Sequence, residues 1–374
     1  MAPRIERNLP MNLRLPFRFI EPTFYSGLLD DPILYLRVRP LGRALLVDCG
    51  QIHHLAKRVL KSLDAVFVSH GHMDHFMGIE TLTRNMHVAP RTVELFGPPG
   101  IAEKLAHKLQ GYDWNLTEEF WGVYRVHEVA EERLVTSVLR GPEGFPLRRE
   151  AVRERSDRVV YRNRFLRVEA ELCDHKIPVM ILRITERDAF QVDPEKLAAL
   201  DLVAGGWLRE LNRRFYREGL ASGPLRVSRR REGRVVEETL ADPAALYRQI
   251  RGEQPAASIG YVTDVGFSEE NRRKIVSLLR GVTLLIGECA YLAEEMERAR
   301  RSCHLCTSDV NRLLEELRPG WFLPMHLSKN HRGCSERLYA ELQMPPGTTL
   351  LRIPEHIPAR PLIPREVPRP EAKR

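Results

Sequence analysis

Residues 69–78 read SHGHMDHFMG and concentrate three histidines and one aspartate within positions 70–75. This stretch follows DAVFV at 64–68, a short apolar run that predicts a buried strand ending just before His70. Side chains from several strands can converge on loops at strand ends, and such loops carry much of the chemistry of rigid folds. The cluster is therefore expected to form a functional site.

The side chains of this stretch are those of metal ligands. Imidazole nitrogens and carboxylate oxygens are donors that zinc and similar ions prefer. His70 and His72 can approach one ion together, and Asp74 and His75 can turn toward a second. Two ions about 3.5–4 Å apart would clamp the attacking and leaving oxygens of a displacement. The pattern favours a dinuclear metal site.

Three distant residues have the same placement as the cluster. His175 follows the strand-like VEAELCD, Asp264 follows SIGYVT, and His326 follows GWFLPM. A carboxylate such as Asp264 can bridge two cations, whereas one histidine serves a single cation. The seven residues therefore divide into two nearly complete shells that share an aspartate and leave room for a water.

Composition bounds the class of protein. The 374 residues are 43% apolar, which is enough for a large core, and the net charge is +8. Six cysteines, at 49, 173, 289, 303, 306 and 334, form no dense disulfide framework. No signal peptide and no apolar run of about 18 residues is evident. We expect a cytoplasmic protein without membrane contact, and the charge slightly favours a polyanionic partner.

Strands interleaved with helices along the chain predict an α/β layered fold. We expect one domain at 1–354 and a proline-rich tail at 355–374. Within the domain, the weak pattern at about 112–165 suggests an insertion. The glycine pair and arginine-rich end at about 197–245 suggest a basic projecting arm.

The HxHxDH pattern at 70–75 resembles the signature of the metallo-β-lactamase superfamily, and the chain is most similar to ribonuclease Z, the endonuclease that trims precursor tRNA at its 3′ end. The motifs that carry this likeness lie in that family's order over roughly residues 40–350. They are DCG at 48–50, GPPGI at 97–101, DHKIP at 174–178, VTD at 262–264, GECAY at 287–291, CHLCTSD at 303–309 and MHLS at 325–328. The resemblance implies an αββα sandwich with two Zn²⁺ ions, or Mn²⁺ in their place.

The resemblance also implies individual roles. His70, His72 and His175 would bind one zinc ion. Asp74, His75 and His326 would bind the other, with Asp264 between the two ions. Asp74 would in addition orient or deprotonate the attacking water. Glu288 and His304 match two further motifs, in which a histidine held by a glutamate assists departure of the leaving oxygen.

Members of that family carry an arm that grips tRNA, and they are commonly homodimers. LAALDLVAGGWLREL at 197–211 has similar spacing, with Gly205-Gly206 where the family has glycine-proline. The arginines that could contact RNA phosphates are Arg209, Arg213, Arg214, Arg217 and the run at 229–231. Near the N-terminus, FRFIEPTFYSG stands in place of the family's glycine-rich turn, and DCGQIHH replaces DCGEGTQ.

Three functions agree with these patterns. The leading hypothesis is a zinc-dependent phosphodiesterase that acts as a ribonuclease Z-like endonuclease on precursor tRNA. A second keeps the dinuclear site but changes the substrate to a small molecule such as a cyclic nucleotide, lactone or thioester. A third is a non-catalytic nucleic-acid-binding protein whose metals are structural.

Two further groups of residues have simpler interpretations. Cys303, Cys306, His331 and Cys334 form CxxC and HxxC pairs that could hold a structural zinc, although buried or partly exposed thiols are the simpler interpretation. His53 and His54 are expected at the surface or behind the ligands, without direct ligation.

Overall fold

Two β-sheets stack against each other in the computed structural model, which describes residues 15–86, 90–116, 118–252 and 256–357. These residues divide into two compact units. The larger unit contains the described residues up to Arg162, then Leu166–Thr185 and the chain from Ala257 onward. The smaller unit contains Asn163–Phe165 and Glu186–Ala256.

The first sheet has its eight strands in chain order, β1 to β8. Burial alternates with the strand period, so that Tyr35 and Leu46 face the helices on one side, whereas Leu34, Leu36 and Leu45 are buried on the other. The strands are β1 (Ile20–Phe24), β2 (Leu34–Val38), β3 (Arg43–Val47), β4 (Leu63–Phe67), β5 (Thr92–Gly97), β6 (Val123–Val129), β7 (Arg133–Arg140) and β8 (Arg148–Glu154).

The second sheet has seven strands in the order β18-β17-β16-β15-β11-β10-β9. Its central β15, β16 and β17 are parallel. β15 is buried at every position, as expected for a strand covered on both faces. The strands are β9 (Val159–Arg162), β10 (Leu166–Asp174), β11 (Pro178–Glu186), β15 (Ser258–Val262), β16 (Leu284–Glu288), β17 (Trp321–Met325) and β18 (Thr349–Leu350).

Helices cover the outer face of each sheet. Leu82 and Leu105 belong to the apolar core of the first sheet, and Ile275 and Leu313 to that of the second. The helices of this unit are α1 (Lys57–Lys61), α2 (Met73–Phe76), α3 (Ile79–Met86), α4 (Ile101–Gln110), α8 (Glu269–Leu279), α9 (Met296–Ser302), α10 (Thr307–Leu317) and α11 (Ser335–Glu341). The layer order is helix, sheet, sheet, helix, which agrees with the predicted αββα sandwich.

Contacts between the sheets hold the strand ends in place. Phe67 on β4 packs edge-on against Tyr161 of β9, with ring centroids 6.0 Å apart. Close to the predicted cluster, the Met180 amide donates to the Ser69 carbonyl over 2.8 Å. The loop that follows β4 is therefore fixed relative to β11, the strand that pairs with β15.

The smaller unit has its own apolar core. A three-stranded antiparallel sheet, β12 (Leu202–Val203), β13 (Leu225–Arg231) and β14 (Arg234–Leu240), packs with α5 (Pro194–Ala199), α6 (Gly206–Arg213) and α7 (Pro243–Ile250). Trp207 is buried in this core and donates its indole N–H to the Val203 carbonyl. The predicted arm at 197–245 falls inside this unit, which is larger than expected because residues 186–196 and 246–252 belong to it.

Two predicted boundaries differ from the observed elements. The segment interpreted as an insertion, 112–165, forms β6, β7 and β8 of the first sheet and β9 of the second. The proline-rich tail lies outside the described residues from 358 onward. Its first residues are part of the fold, because the Glu355 carbonyl accepts from the Leu29 amide and His356 Nδ1 lies 2.7 Å from Asp30 Oδ1.

Among the described helices, none combines the length and apolarity required to cross a bilayer.

Candidate metal centre

The predicted ligands follow the ends of β4, β10, β15 and β17, with Asp74 and His75 on the short helix α2 after β4. Asp264 and His326 directly extend the ends of β15 and β17, with left-handed φ angles of 49° and 60°. Asp48, at the end of β3, has a φ of 57°. Left-handed backbone is unfavourable for residues with a Cβ and is concentrated at functional sites. Here it turns three acidic or imidazole side chains toward one point.

The first group of donors contains His70, His72, His175 and Asp264. Each offers one ligand atom, and these atoms all lie within 4.8 Å of one another. The Nε2 atoms of His70 and His175 are 3.5 Å and 3.7 Å from Asp264 Oδ2. All but His72 are buried.

The second group contains Asp74, His75 and His326. Asp74 Oδ2 is 3.1 Å from His326 Nε2 and 3.6 Å from His75 Nε2. Asp264 lies between the two groups, since its Oδ2 is 3.5 Å from His75 Nε2 and its Oδ1 is 3.6 Å from His326 Nδ1. All seven predicted ligands are thus brought together, with the shared aspartate in the middle.

Two unpaired nitrogens test whether this arrangement suits metal ions. The Nε2 atoms of His70 and His75 are buried without a hydrogen-bond partner among the described residues. Their Nδ1 atoms have partners, Ser69 Oγ at 3.0 Å and Asp48 Oδ2 at 2.8 Å. A buried polar atom without a partner is costly, and one cation in each group of donors would satisfy these nitrogens. The donor set therefore fits divalent metal ions.

Asp48 is a residue of this site to which the sequence assigned no role. Its fully buried carboxylate contacts His75, and it accepts hydrogen bonds from the Ser69 amide and hydroxyl and from the Tyr261 hydroxyl. A carboxylate behind a ligating histidine fixes its tautomer and makes it a better ligand. The DCG motif at the end of β3 was the feature of the sequence that could have indicated a role for Asp48.

Burial and charge act in opposite directions on neighbouring histidines. Burial, together with the nearby His75, lowers the pKa of His70 to about 2, so its imidazole is neutral and available as a ligand. Burial also disfavours charge on His75, but the carboxylates of Asp48 and Asp264 outweigh it and raise the pKa of His75. Bound cations would replace the proton that His75 carries.

Glu288 and His304 form the predicted pair beside the ligands. His304 Nδ1 is 2.8 Å from Glu288 Oε2, and the other oxygen of this buried carboxylate accepts from the Val265 amide over 2.7 Å. Burial opposes charge on His304, but Glu288 outweighs it and raises the pKa of His304 to about 9. His304 borders a pocket of about 350 Å³ that is also lined by Asp74 and His326. His304 can therefore deliver a proton into the pocket.

Comparisons with known proteins agree with this geometry. Residues 43–171 match the model of the beta-lactamase superfamily domain. The chain is 30% identical over 297 residues to ribonuclease Z of Deinococcus radiodurans, an alignment that covers 78% of this chain and 85% of that protein. The chain belongs to the ribonuclease Z family. Ribonuclease Z of Brevibacillus brevis is 26% identical over 325 residues, covering 82% of this chain and 84% of that protein.

The fold of the family is also found among solved structures. The short form of human tRNase Z superposes with a TM-score of 0.50 at 15% identity, covering 89% of this chain and 96% of that chain. The predicted membership of the ribonuclease Z family and the predicted αββα fold are confirmed. As a member of this fold family the chain is a metal-dependent hydrolase that uses divalent ions.

The remaining predicted groups do not join this ribonuclease Z-family site. His331 Nε2 contacts Glu295 over 2.5 Å, the Cys306 thiol contacts Asp309, and Cys334 is exposed. Among the described residues, no cluster able to hold a metal includes the pairs Cys303–Cys306 and His331–Cys334. Cys303 acts through its backbone, because its carbonyl lies 2.7 Å from His175 Nδ1.

The altered DCGQIHH segment lies close to the site without supplying a ligand. Residues 52–54 form a single 3₁₀ turn after β3. His54 Nε2 is 3.2 Å from the Tyr25 carbonyl, and neither His53 nor His54 belongs to the clusters described above.

Proposed function

We propose that this chain is an endoribonuclease that holds two Zn²⁺ ions and hydrolyses a phosphodiester bond near the 3′ end of precursor tRNA. One observation carries the proposal. Two groups of donors converge on a shared aspartate, and the ring nitrogens that face this point in His70 and His75 have no other described partner. Relatives named ribonuclease Z supply the substrate class.

We assign the ligands as the sequence predicts. His70, His72 and His175 would hold one ion, Asp74, His75 and His326 would hold the other, and Asp264 would contribute to both. When bound, the two ions would supply Lewis acidity to the phosphoryl group and would clamp the attacking and leaving oxygens. The imidazole donors agree with zinc.

Asp74 receives the proton of the attacking water in this scheme. Its carboxylate is 40% exposed, borders the pocket and accepts a hydrogen bond from His326. Burial would raise its pKa, but this hydrogen bond and the nearby imidazoles hold it below its usual range, so the group is ionised. The water oxygen attacks phosphorus while Asp74 takes the proton.

His304 donates the second proton. Glu288 occupies its Nδ1, which leaves Nε2 as the nitrogen available to the leaving oxygen. As the bond from phosphorus to the leaving oxygen breaks, this proton neutralises the alkoxide. Asp74 then releases its proton to solvent and His304 regains one from solvent, which returns both groups to their starting states.

The proposal extends to the assembly of the protein. We assign part of the RNA grip to Arg209, Arg217 and Arg230 of the smaller unit, which have no ion pair among the described side chains. We also propose a homodimer, by similarity to the family, and a cytoplasmic location, which is supported by six free cysteines. Light scattering of the purified chain tests the dimer.

A single preparation tests the main proposal in two ways. Elemental analysis should find about two divalent ions per chain, and a 3′-extended tRNA should yield one cleaved product on a gel unless a chelator is added. A chain that neither contains nor takes up divalent ions would overturn the metal assignment. A metal-loaded chain that leaves the tRNA intact would overturn the assignment of precursor tRNA as the substrate.

A further inference from the structure

The arginines of this protein are unevenly balanced by acids. The predicted arm, 197–245, contains nine arginines and seven acidic residues. Arg213 and Arg214 both pair with Glu210, and Arg229 pairs with Glu238 on the neighbouring strand. Residues 148–162 of the larger unit contain six arginines against three acidic residues. Excess positive charge is therefore more concentrated outside the arm.

Residues 148–162 form one edge of each sheet. β8 is the last strand of the first sheet and is exposed along its whole length, and β9 is the last strand of the second. The chain crosses from one to the other at 155–158. Arg155 fixes this crossing, because its guanidinium donates to the carbonyls of Ala130 and Ala170 over 2.5 Å and 3.0 Å. The fold therefore holds this edge in a defined conformation.

Three arginines on this edge remain available to a partner. Arg149, Arg153 and Arg162 are exposed and have no ion pair or hydrogen bond from their side chains among the described residues. Residues 153–157 and 159–162 line a cleft of about 470 Å³ between the two edge strands. The Asp157 carboxylate, which lines this cleft, already accepts a hydrogen bond, because its Oδ1 lies 3.0 Å from the Val159 amide nitrogen.

We infer that the β8–β9 edge, defined by Arg149, Arg153 and Arg162, is a second RNA-binding surface that contacts the phosphate backbone of the substrate at a distance from the cleaved bond. The inference rests on the proposed function for its choice of RNA. Unpaired guanidinium groups suit phosphate oxygens because their planar fork matches the anion. Such contacts position a nucleic acid without reading its sequence.

Strand register gives the distance to the metal centre. Phe67, which ends β4, is level with Phe96, His127, Thr136 and Ala151 on the successive strands β5 to β8. Arg153 lies two residues beyond Ala151. It is therefore at the same end of the sheet as the metal ligands that follow β4. Four strand spacings of about 4.8 Å give about 19 Å. B-DNA at about 3.4 Å per base pair would span this distance with about six base pairs, and an A-form RNA stem, which rises less per base pair, needs somewhat more than six.

Charge on edge strands has another established use, because it prevents edge-to-edge pairing of sheets. That use requires charge of either sign and does not require contact with RNA. The two explanations differ in one measurable quantity. Only phosphate contact makes these arginines contribute to the salt dependence of RNA binding.

The test compares two variants of equal charge change. One carries Arg149→Gln, Arg153→Gln and Arg162→Gln. The control carries Arg84→Gln, Arg273→Gln and Arg280→Gln, which are exposed arginines on the outer helices α3 and α8 and just after α8. The Kd for a 3′-extended tRNA is measured with chelator present, so that no cleavage occurs, over a range of salt concentrations.

The edge variant should lower the slope of log Kd against log salt concentration by about two to three. Its Kd at low salt should rise about tenfold or more. The control variant should change the slope by less than about one. A hairpin with a stem shorter than about six base pairs should bind both variants alike. Equal slopes for edge variant and wild type would overturn the inference and leave the proposed function intact. Edge-dependent binding of a tRNA that the metal-loaded wild-type chain, assayed without chelator, fails to cleave would overturn the function and support the surface.

Discussion

The metal centre and the β8–β9 edge use charged side chains in opposite ways. In the centre, Asp48, His75 and Asp264 are buried, and each lies within a few ångströms of several defined partners. On the edge, Arg149 and Arg153 are exposed and have no described ion pair. Groups held in a low-dielectric interior act through their position, whereas exposed charges act through their number and are screened by salt. Single changes should therefore have large effects in the centre and small, additive effects outside it.

The largest effect is expected at the shared aspartate. Asp264→Ala removes the carboxylate that faces both groups of histidines, so the bound metal should fall well below two ions per chain. Turnover of bis(p-nitrophenyl) phosphate should fall at least about a thousandfold, because the two-ion arrangement is lost. Elemental analysis and steady-state kinetics measure the two effects.

The matched control for that change is Asp74→Ala, which alters one ion's surroundings only. Its loss of bound metal should therefore be smaller than that of Asp264→Ala, although turnover is also lost and affinity for RNA is retained. If Asp264→Ala keeps its full metal content and its turnover, the bridging role is wrong.

A smaller effect is expected at His304. His304→Ala removes the proton donor for the leaving oxygen and should lower RNA cleavage by about 10²–10⁴-fold, with metal content unchanged. The loss should be smaller for bis(p-nitrophenyl) phosphate, whose leaving group departs without a proton. Comparing kcat for the two substrates measures this difference, and equal losses would contradict the assignment of His304 as the acid.

Behind the ligands, Asp48 should matter less than the ligands themselves. Asp48→Asn leaves a group of similar size but removes the charge next to His75, and metal affinity should fall by about 10–100-fold. Titration with a competing chelator measures this affinity. Tyr261→Phe, which removes a single hydrogen bond to Asp48, is the control and should weaken metal binding by less than about tenfold. Equal metal affinity in Asp48→Asn and wild type would show that this carboxylate does not tune the site.

The smallest effect is expected on the arm. Arg209→Gln, Arg217→Gln and Arg230→Gln together should lower the salt slope by less than the edge variant does, about one to two. The reason is that residues 197–245 contain seven acidic residues beside their nine arginines, which lowers the positive potential around these three side chains. An arm variant that loses more RNA affinity than the edge variant would reverse the comparison between these two surfaces.

Much of the centre could be read from the chain, because its signals are local. His70, His72, Asp74 and His75 follow a short apolar strand, and His175, Asp264 and His326 each follow another, so residue type and strand period together select the donors. Glu288 and His304 were predicted from motif similarity, and the structure places them 2.8 Å apart.

By itself, the sequence determined which side chains could bind metal, the layered fold and the family. Only the tertiary structure decided that Asp48 supports His75, that Glu238 neutralises arginines on the neighbouring strand, and that 148–162 forms an exposed edge of both sheets. The physical reason is that residue chemistry and strand period are properties of short segments. Partners across strands, sheet edges and charge balance depend on register between segments that are distant along the chain.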